Sequence, residues 1–307
     1  MPDDAGASRS RRAPWVLVGL TIGLAALFVV AGRVPDHPGA FAGADRPGSG
    51  LEPASPRVGC SPDGAPVLRV LQLNIHFGVD RGGHLDLAAL ASVIRAQRPD
   101  LVSLNEVDQR TQRSQGLDEA EELERATGLR VVYGPNLPWE GGLFGNAILS
   151  RLPIVHSANH TLPVRSGLEP RGLLTVEVRV GRRTVSFSSV HLTDGDAGET
   201  SRILQAHAVV RLVEHAAYPS IVAGDLNAEP DELSVRILRQ HLLDAQELGG
   251  SGDGATVPET SPGRRIDYVL YDDGFEVVPG STQVLASSSD HRAVFTELAL
   301  LPSRCGV

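Results

Sequence analysis

Lysine is absent from the 307 residues, so all 28 basic side chains are arginine. Against 37 acidic residues they leave a formal net charge of −9, and the portion after Ala65 stays acidic. A duplex-binding protein normally carries a basic footprint, so this charge weakens a nucleic-acid reading; it does not remove it, because bound cations offset acidity locally. Aromatic residues make up only 4% of the chain, too few for a platform on which single strands stack. No apolar loop stands out as built to enter a bilayer, Leu137-Pro138-Trp139 and Leu143-Phe144 being mild candidates. There is no tandem repeat. The two cysteines, Cys60 and Cys305, give no Cys-plus-His spacing of a zinc site.

One long apolar run is present. Trp15 to Gly32 is uncharged and follows Arg9, Arg11 and Arg12, a length that just spans a hydrocarbon core as a helix. Basic residues ahead of such a run keep the N-terminus in the cytoplasm and export the chain beyond it. The competing reading is a signal peptide cleaved near Ala40-Phe41-Ala42 and a secreted product. The run is long for a signal and that site lies well beyond it, so an uncleaved anchor is favoured. Ser10-Arg11-Arg12 is too sparse to argue twin-arginine export. The expected organisation is a cytoplasmic basic N-terminus (1–14), a single membrane-spanning helix (15–32), a disordered Pro/Gly-rich linker (33–66), an extracytoplasmic domain (67–301) and a short tail (302–307). Cys60 and Cys305 flank that domain, and in an oxidising compartment a bridge between them would pin its ends together.

Within the domain, Ile221 to Asn227 reads as a buried strand that stops at Gly224 and presents Asp225 and Asn227 at its end. On extended backbone those two point to the same side; a plain Asp/Asn turn is the alternative. Val67 to Ile75 is an apolar strand ending at Asn74. Leu85 to Gln97 is an amphipathic helix broken before Pro99, and the next strand, Asp100 to Val107, carries Glu106 inside an apolar run, where a carboxylate needs a cation or donors. An acidic helix, Leu117 to Thr127, is capped by Gly128. Strands at Leu129–Tyr133 and Asn146–Ser150 enclose a glycine-rich loop, and Ile154–Leu162, Gly172–Val180 and Thr184–His191 alternate as an antiparallel meander. Asn146 stands at a strand start and Arg171 at a strand mouth, each placed to meet an anionic group or form an ordinary surface contact. Helices follow at Glu199–Ala216 and Asp231–Arg239. Asp267 lies inside the apolar stretch Arg265 to Leu270, and Ser289-Asp290-His291 precedes a last strand, Val294–Leu300. A buried Asp near a His is the usual way to orient an imidazole.

With Asn74, Glu106, His191, Asp225, Asn227, Asp267, Asp290 and His291 in this order, the chain resembles the endonuclease/exonuclease/phosphatase superfamily over about Val67 to Leu300. Gly145-Asn146-Ala147-Ile148-Leu149-Ser150-Arg151 also looks like a family segment. The resemblance implies an α/β (α+β) fold, a four-layer α/β/β/α sandwich of two mixed sheets, with the site at one edge of the sheets. It implies a divalent metal, Mg²⁺ with Mn²⁺ or Ca²⁺ as alternatives, held by Glu106 with Asn74 and with help from Asp290. His191, Asp225, Asn227, Asp267 and His291 would carry the catalysis, and Asn146 and Arg171 would contact substrate. Two positions depart from the family pattern: Asn105 stands where Gln commonly precedes the metal Glu, and His76 where many repair nucleases carry Asp. The expected function is membrane-tethered, Mg-dependent phosphodiester hydrolysis by direct in-line attack of water, nuclease-like first. A sphingomyelinase-like phospholipid phosphodiesterase, a phosphomonoesterase and a non-catalytic binding module are the alternatives, and no obligate protein partner is evident.

Overall fold

A computed structural model of the chain describes residues 64–302. The expected anchor, the linker as far as residue 63, both cysteines and the tail beyond Pro302 lie outside the described residues. Among the described residues no helix is long and apolar enough to cross a membrane.

The chain runs β1 (Val67–Asn74), α1 (Leu87–Gln97), β2 (Leu101–Gln109), α2 (Glu119–Thr127), β3 (Arg130–Trp139), β4 (Gly142–Ser150), β5 (Ile154–Thr161), β6 (Gly172–Val180) and β7 (Arg183–His191). It continues through α3 (Glu199–Glu214), β8 (Ser220–Asp225), α4 (Leu233–Arg239), β9 (Leu243–Asp244), α5 (Ala245–Gly249), β10 (Asp267–Tyr271), β11 (Phe275–Val277), β12 (Gln283–Leu285) and β13 (Ala293–Leu300). Two mixed sheets result. One has the order β11-β13-β1-β2-β4-β3, with β12 also on β13, and the other β5-β6-β7-β8-β10-β9. Among the described strands only β1/β2 and β7/β8 are parallel, and each parallel pair is joined by a helical crossover, the usual connection between parallel strands.

Three apolar clusters separate the layers. One joins α1 and α2 to the outer face of the first sheet (Leu71, Leu73, Leu90, Ile94, Val102, Leu104). A second lies between the sheets (Leu68, Val70, Leu101, Val185, Phe187, Ile221). The third joins α3 and α4 to the second sheet (Val190, Val209, Val222, Val235, Leu238). The sandwich of two mixed sheets with helices is therefore as the sequence led us to expect. Period-two alternation makes the assignment to layers: on β1, Leu71 and Leu73 face the helices while Leu68 and Val70 face the opposite sheet. Continuing that inner row brings Gln72 and Asn74, both fully buried. On β7 the same row runs Val185, Phe187, Ser189, His191, and on β8 Ile221, Ala223, Asp225. The layer between the sheets thus turns from apolar at one end to polar at the other, and the polar end is where the strands deliver their functional groups.

Several details differ from the sequence reading. Gly145 and Asn146 belong to the interior of β4, because β3 and β4 form a long hairpin that turns at Glu140-Gly141. Strand β8 does not stop at Gly224 but continues through Asp225. The glycine is needed because β7 crowds it: a Cβ there would lie 1.9 Å from the Val190 carbonyl oxygen. Asp267 opens β10 rather than sitting inside a strand begun at Arg265. Strands β9, β11 and β12, two or three residues each, were not anticipated.

Candidate active site

Each parallel pair ends at the polar edge. The last register partners are Asn74 and Asn105 in β1/β2, and His191 and Asp225 in β7/β8. Asp267 is the register partner of Asp225 on the other side of β8. Strict alternation would aim Glu106 at the helix layer with Val102 and Leu104. A bulge between Leu104 and Val107, with Glu106 at φ +56°, turns it to the other side. There the Asn74 amide nitrogen donates both to Glu106 Oε1 and to Asp225 Oδ2, each at 3.0 Å. One amide thus joins a half-buried carboxylate from the first sheet to a buried one from the second.

Asp225 is buried, and its backbone N–H donates to Asn105 Oδ1 at 3.0 Å. Asn227 does not continue the strand. It sits at φ +49° with its backbone N–H donating to Asp225 Oδ1 at 2.9 Å, so the Asp/Asn turn is present. The turn still converges the two side chains, because the Asn227 amide nitrogen lies 3.0 Å from His191 Nε2. Burial, then the neighbouring Asp267, pushes the Asp225 carboxyl up to about 7. His291 Nδ1 pairs with Asp267 Oδ2 at 2.8 Å. Burial opposes charge on that imidazole, but Asp267, with smaller help from Asp225 and Asp290, outweighs it and lifts His291 to about 10. Asp267 and His291 are therefore an ion pair near neutral pH. His191 goes the other way: burial, then the charges of Arg171 and His291, holds it well below the ordinary histidine value.

Behind these groups runs a chain of buried amides. Gln72 donates to Asn105 Oδ1 at 2.7 Å and to Asp267 Oδ1 at 3.3 Å. Asn105 donates to Asn146 Oδ1 and to the Val190 carbonyl, both at 3.0 Å, and Asn146 donates to the Gly172 carbonyl at 3.0 Å. The substitution of Asn105 for Gln therefore leaves an amide that ties both sheets together. Such a network fixes side-chain positions because every broken bond would strand a buried polar group.

The rim is strained. Four of the eight non-glycine residues with positive φ among the described residues, His76, Phe77, Glu106 and Asn227, lie at this edge, where such conformations collect at functional sites. Arg113 clamps one side. It chelates buried Asp108 at 2.7 and 2.9 Å, covers the Phe77 ring at 3.9 Å, and lies within 5.6 Å of the Trp139 ring centre. Asp290 is half exposed, 3.9 Å from His76 Nδ1.

The structure thus gathers Asn74, Glu106, His191, Asp225, Asn227, Asp267 and His291 through direct contacts, with Asp290 beside His291 at the rim. Asn146 and Arg171 do not present free groups to a substrate. Asn146 is fully buried with both amide atoms engaged, and Arg171, 5% exposed, lies between His191 Nδ1 (2.9 Å) and Glu169 Oε1 (2.8 Å). The sequence reading missed Gln72 and Arg113. Gln72 carries a signal, a polar residue on the inner row of β1; Arg113 sits in a loop and carries none.

The donor set fits a hard divalent cation. Glu106, Asp225, Asp267 and Asp290 set four carboxyl groups against one strongly basic imidazole, an excess of negative charge that a cation would offset. Ligand atoms of Asp225, Asp267 and His291 lie within 4.8 Å of one another and could hold an ion. However, the Asp267–His291 hydrogen bond already engages that trio. Glu106 and Asp290 are the more exposed carboxylates of the set, and Asn74 Oδ1 beside them accepts from the His76 N–H at 3.0 Å; oxygen donors are what magnesium or calcium requires.

Comparison with known proteins agrees with this geometry. The profile of the Endonuclease/Exonuclease/phosphatase family matches residues 71–291. A putative neutral sphingomyelinase of Drosophila melanogaster is 26% identical over 282 residues, covering 76% of this chain. The chain spans 61% of the length of that fly protein. The crystal structure of an endonuclease/exonuclease/phosphatase protein from Beutenbergia cavernae superposes with a TM-score of 0.66 at 28% identity, covering 76% of this chain and 72% of that one. The human Nocturnin catalytic domain, solved with a bound sulfate, shares the fold at a TM-score of 0.61 and 23% identity, covering 78% and 96%.

Proposed function

The chain belongs to the endonuclease/exonuclease/phosphatase family, and on that premise we propose that it is a membrane-tethered, extracytoplasmic, magnesium-dependent phosphodiester hydrolase. Members of the family are metal-dependent hydrolases of phosphoesters. The observation that carries the reading is the Asn74 amide bridging Glu106 and Asp225, with the Asp267–His291 pair against the same Asp225.

Asp225, with its carboxyl pushed up to about 7, is placed to position a water and take its proton. The His291 cation, oriented by Asp267, faces the phosphate and stabilises charge that grows in the transition state. His191 and Asn227 stand beside Asp225 as hydrogen-bond donors. A metal held by Glu106, Asn74 and Asp290 would supply Lewis-acid neutralisation of a non-bridging oxygen and of the leaving oxygen. Attack is direct and in line, with no covalent intermediate.

Extracellular nucleic acid is the first choice of substrate. Large exposed apolar side chains are scattered over the described surface, with Trp139 beside Arg113. Apolar side chains scattered singly are ordinary for a soluble surface and give little grip on a bilayer. The similarity to the fly protein favours phospholipid head groups as the second reading. Membrane tethering rests on the Trp15–Gly32 run alone.

The first test is hydrolysis of bis-p-nitrophenyl phosphate with magnesium, with chelator, and by Glu106→Ala and His291→Ala. Wild-type turnover no faster than that of either variant ends the enzymatic proposal. Release of acid-soluble nucleotides, set against release of phosphocholine, then decides between the substrates.

A further inference from the structure

His191 stands between two donors. Arg171 Nη1 lies 2.9 Å from Nδ1, and the Asn227 amide nitrogen 3.0 Å from Nε2. A guanidinium carries only donors and keeps its proton in proteins, so Nδ1 must be the lone-pair nitrogen. The single ring proton of the neutral imidazole is then on Nε2. That N–H meets no acceptor at hydrogen-bond distance. The Asn227 nitrogen is itself a donor, bonded to the Leu192 carbonyl at 3.1 Å, and Asp225 Oδ2 is 3.7 Å away. Exchanging the oxygen and nitrogen of the Asn227 amide would satisfy Nε2 but set two acceptors, Oδ1 and the Leu192 oxygen, against each other.

Resting on the active-site reading above, we infer that Arg171 is a positioning residue that locks His191 in its Nε2–H tautomer. Its guanidinium never reaches the substrate. Arg171 is buried, its Nη1 is shared between His191 and Glu169, and its Nε has no partner. The lock has a chemical consequence: the Nε2–H of His191 and the amide N–H of Asn227 converge on one point, and an anionic oxygen placed there accepts from both. His191 then acts as a fixed donor to phosphate and is prevented from serving as a proton acceptor at Nε2. Glu169, 2.8 Å from the same Nη1, keeps the guanidinium charge from being left unpaired beside the imidazole.

The experiment is two-bond ¹H–¹⁵N correlation spectroscopy of the full-length chain labelled with ¹⁵N-histidine at neutral pH, the His191 signals being assigned by their loss in His191→Gln. The native protein is expected to show a lone-pair Nδ1 and a protonated Nε2. Arg171→Met is expected to shift that pattern toward the mixed tautomers of an unconstrained histidine. Arg171→Lys, which keeps a charged donor, is expected to retain the Nε2–H form. On bis-p-nitrophenyl phosphate, kcat is expected to fall about 10- to 100-fold in Arg171→Met, with partial recovery in Arg171→Lys, the scale seen when a partner that orients a working group is removed. A native Nδ1–H tautomer overturns the inference, as does a folded Arg171→Met protein whose His191 pattern is unchanged. If Arg171→Met does not fold, the native spectrum decides alone. The expected tautomers in a protein inactive on every phosphoester would uphold the lock while removing the hydrolase reading.

Discussion

The unit β1-α1-β2 and the unit β7-α3-β8 are built alike, each a parallel strand pair joined by a helix and ending at the same edge, yet they present different chemistry. The first ends in Asn74 and Asn105, neutral amides, and the carboxylate that follows them, Glu106, is turned out by a bulge to a half-buried position. The second ends in His191 and Asp225, both buried, with Asn227 turned back onto them. Burial makes the difference. The carboxylate sealed between the sheets, Asp225, is pushed toward the pH at which it exchanges protons, and the proposed function assigns the cation to the more exposed one. Under the proposed function one topology thus supplies both a cation-holding wall and a proton-handling wall.

The sharpest way to break that contrast is Glu106→Gln, which keeps the shape of the first unit and removes its charge. Turnover is expected to fall about 10³-fold, since charge stabilisation by a metal contributes several kcal/mol. The rise in Tm on adding magnesium is expected to vanish with it, whereas the native protein gains about 2.7 kcal/mol at a hundred times Kd. Differential scanning fluorimetry against magnesium concentration checks this.

Next comes Asp267→Asn on the proton-handling wall, with turnover expected to drop about 10²- to 10³-fold from loss of the oriented imidazole. It carries a pH signature as well. The folded pKa of His291, about 10, lies above its ordinary 6.5, so the stability it contributes is complete below about 6.5 and is lost as pH rises through 10. Thermal melts between pH 6 and 11 are expected to show that decline in the native protein and its loss in Asp267→Asn.

Arg113→Met probes the rim of the first unit. It leaves the carboxylate of buried Asp108 with the Thr111 hydroxyl as its donor. Breaking such a pair is expected to cost about 3 kcal/mol, read as a lowered urea midpoint. The smallest effect on stability is of opposite sign. Because the folded pKa of Asp225 is raised to about 7, stability falls as pH climbs from about 4 toward 7. Asp225→Asn is therefore expected to raise Tm by about 2–4 °C at pH 8 while abolishing turnover.

Much of this was legible in the alternation of β1, β2, β7 and β8: the inner rows carry Gln72, Asn74, Asn105, His191 and Asp225 at their ends, and polar residues in otherwise apolar rows need a reason. What the sequence could not show is handedness and reach. Nothing in Asn105-Glu106-Val107 announces a bulge, so the direction of Glu106 depended on the resemblance to the family. Asp225-Leu226-Asn227 reads equally as strand and as turn, and it is the left-handed Asn227 that brings the amide to His191. A buried arginine looks like an exposed one in sequence, which is why Arg171 suggested a phosphate ligand rather than a partner for an imidazole. Strands as short as β9 and β11 show no period at all.

The Leu300 N–H donates to the Pro66 carbonyl at 2.8 Å, so chain entry and chain exit share one pole of the sandwich, and β1 runs from there about 23 Å to Asn74. Trimming the chain at either end therefore frays the strands where they lie farthest from Asn74, and is expected to cost stability before it disturbs the site.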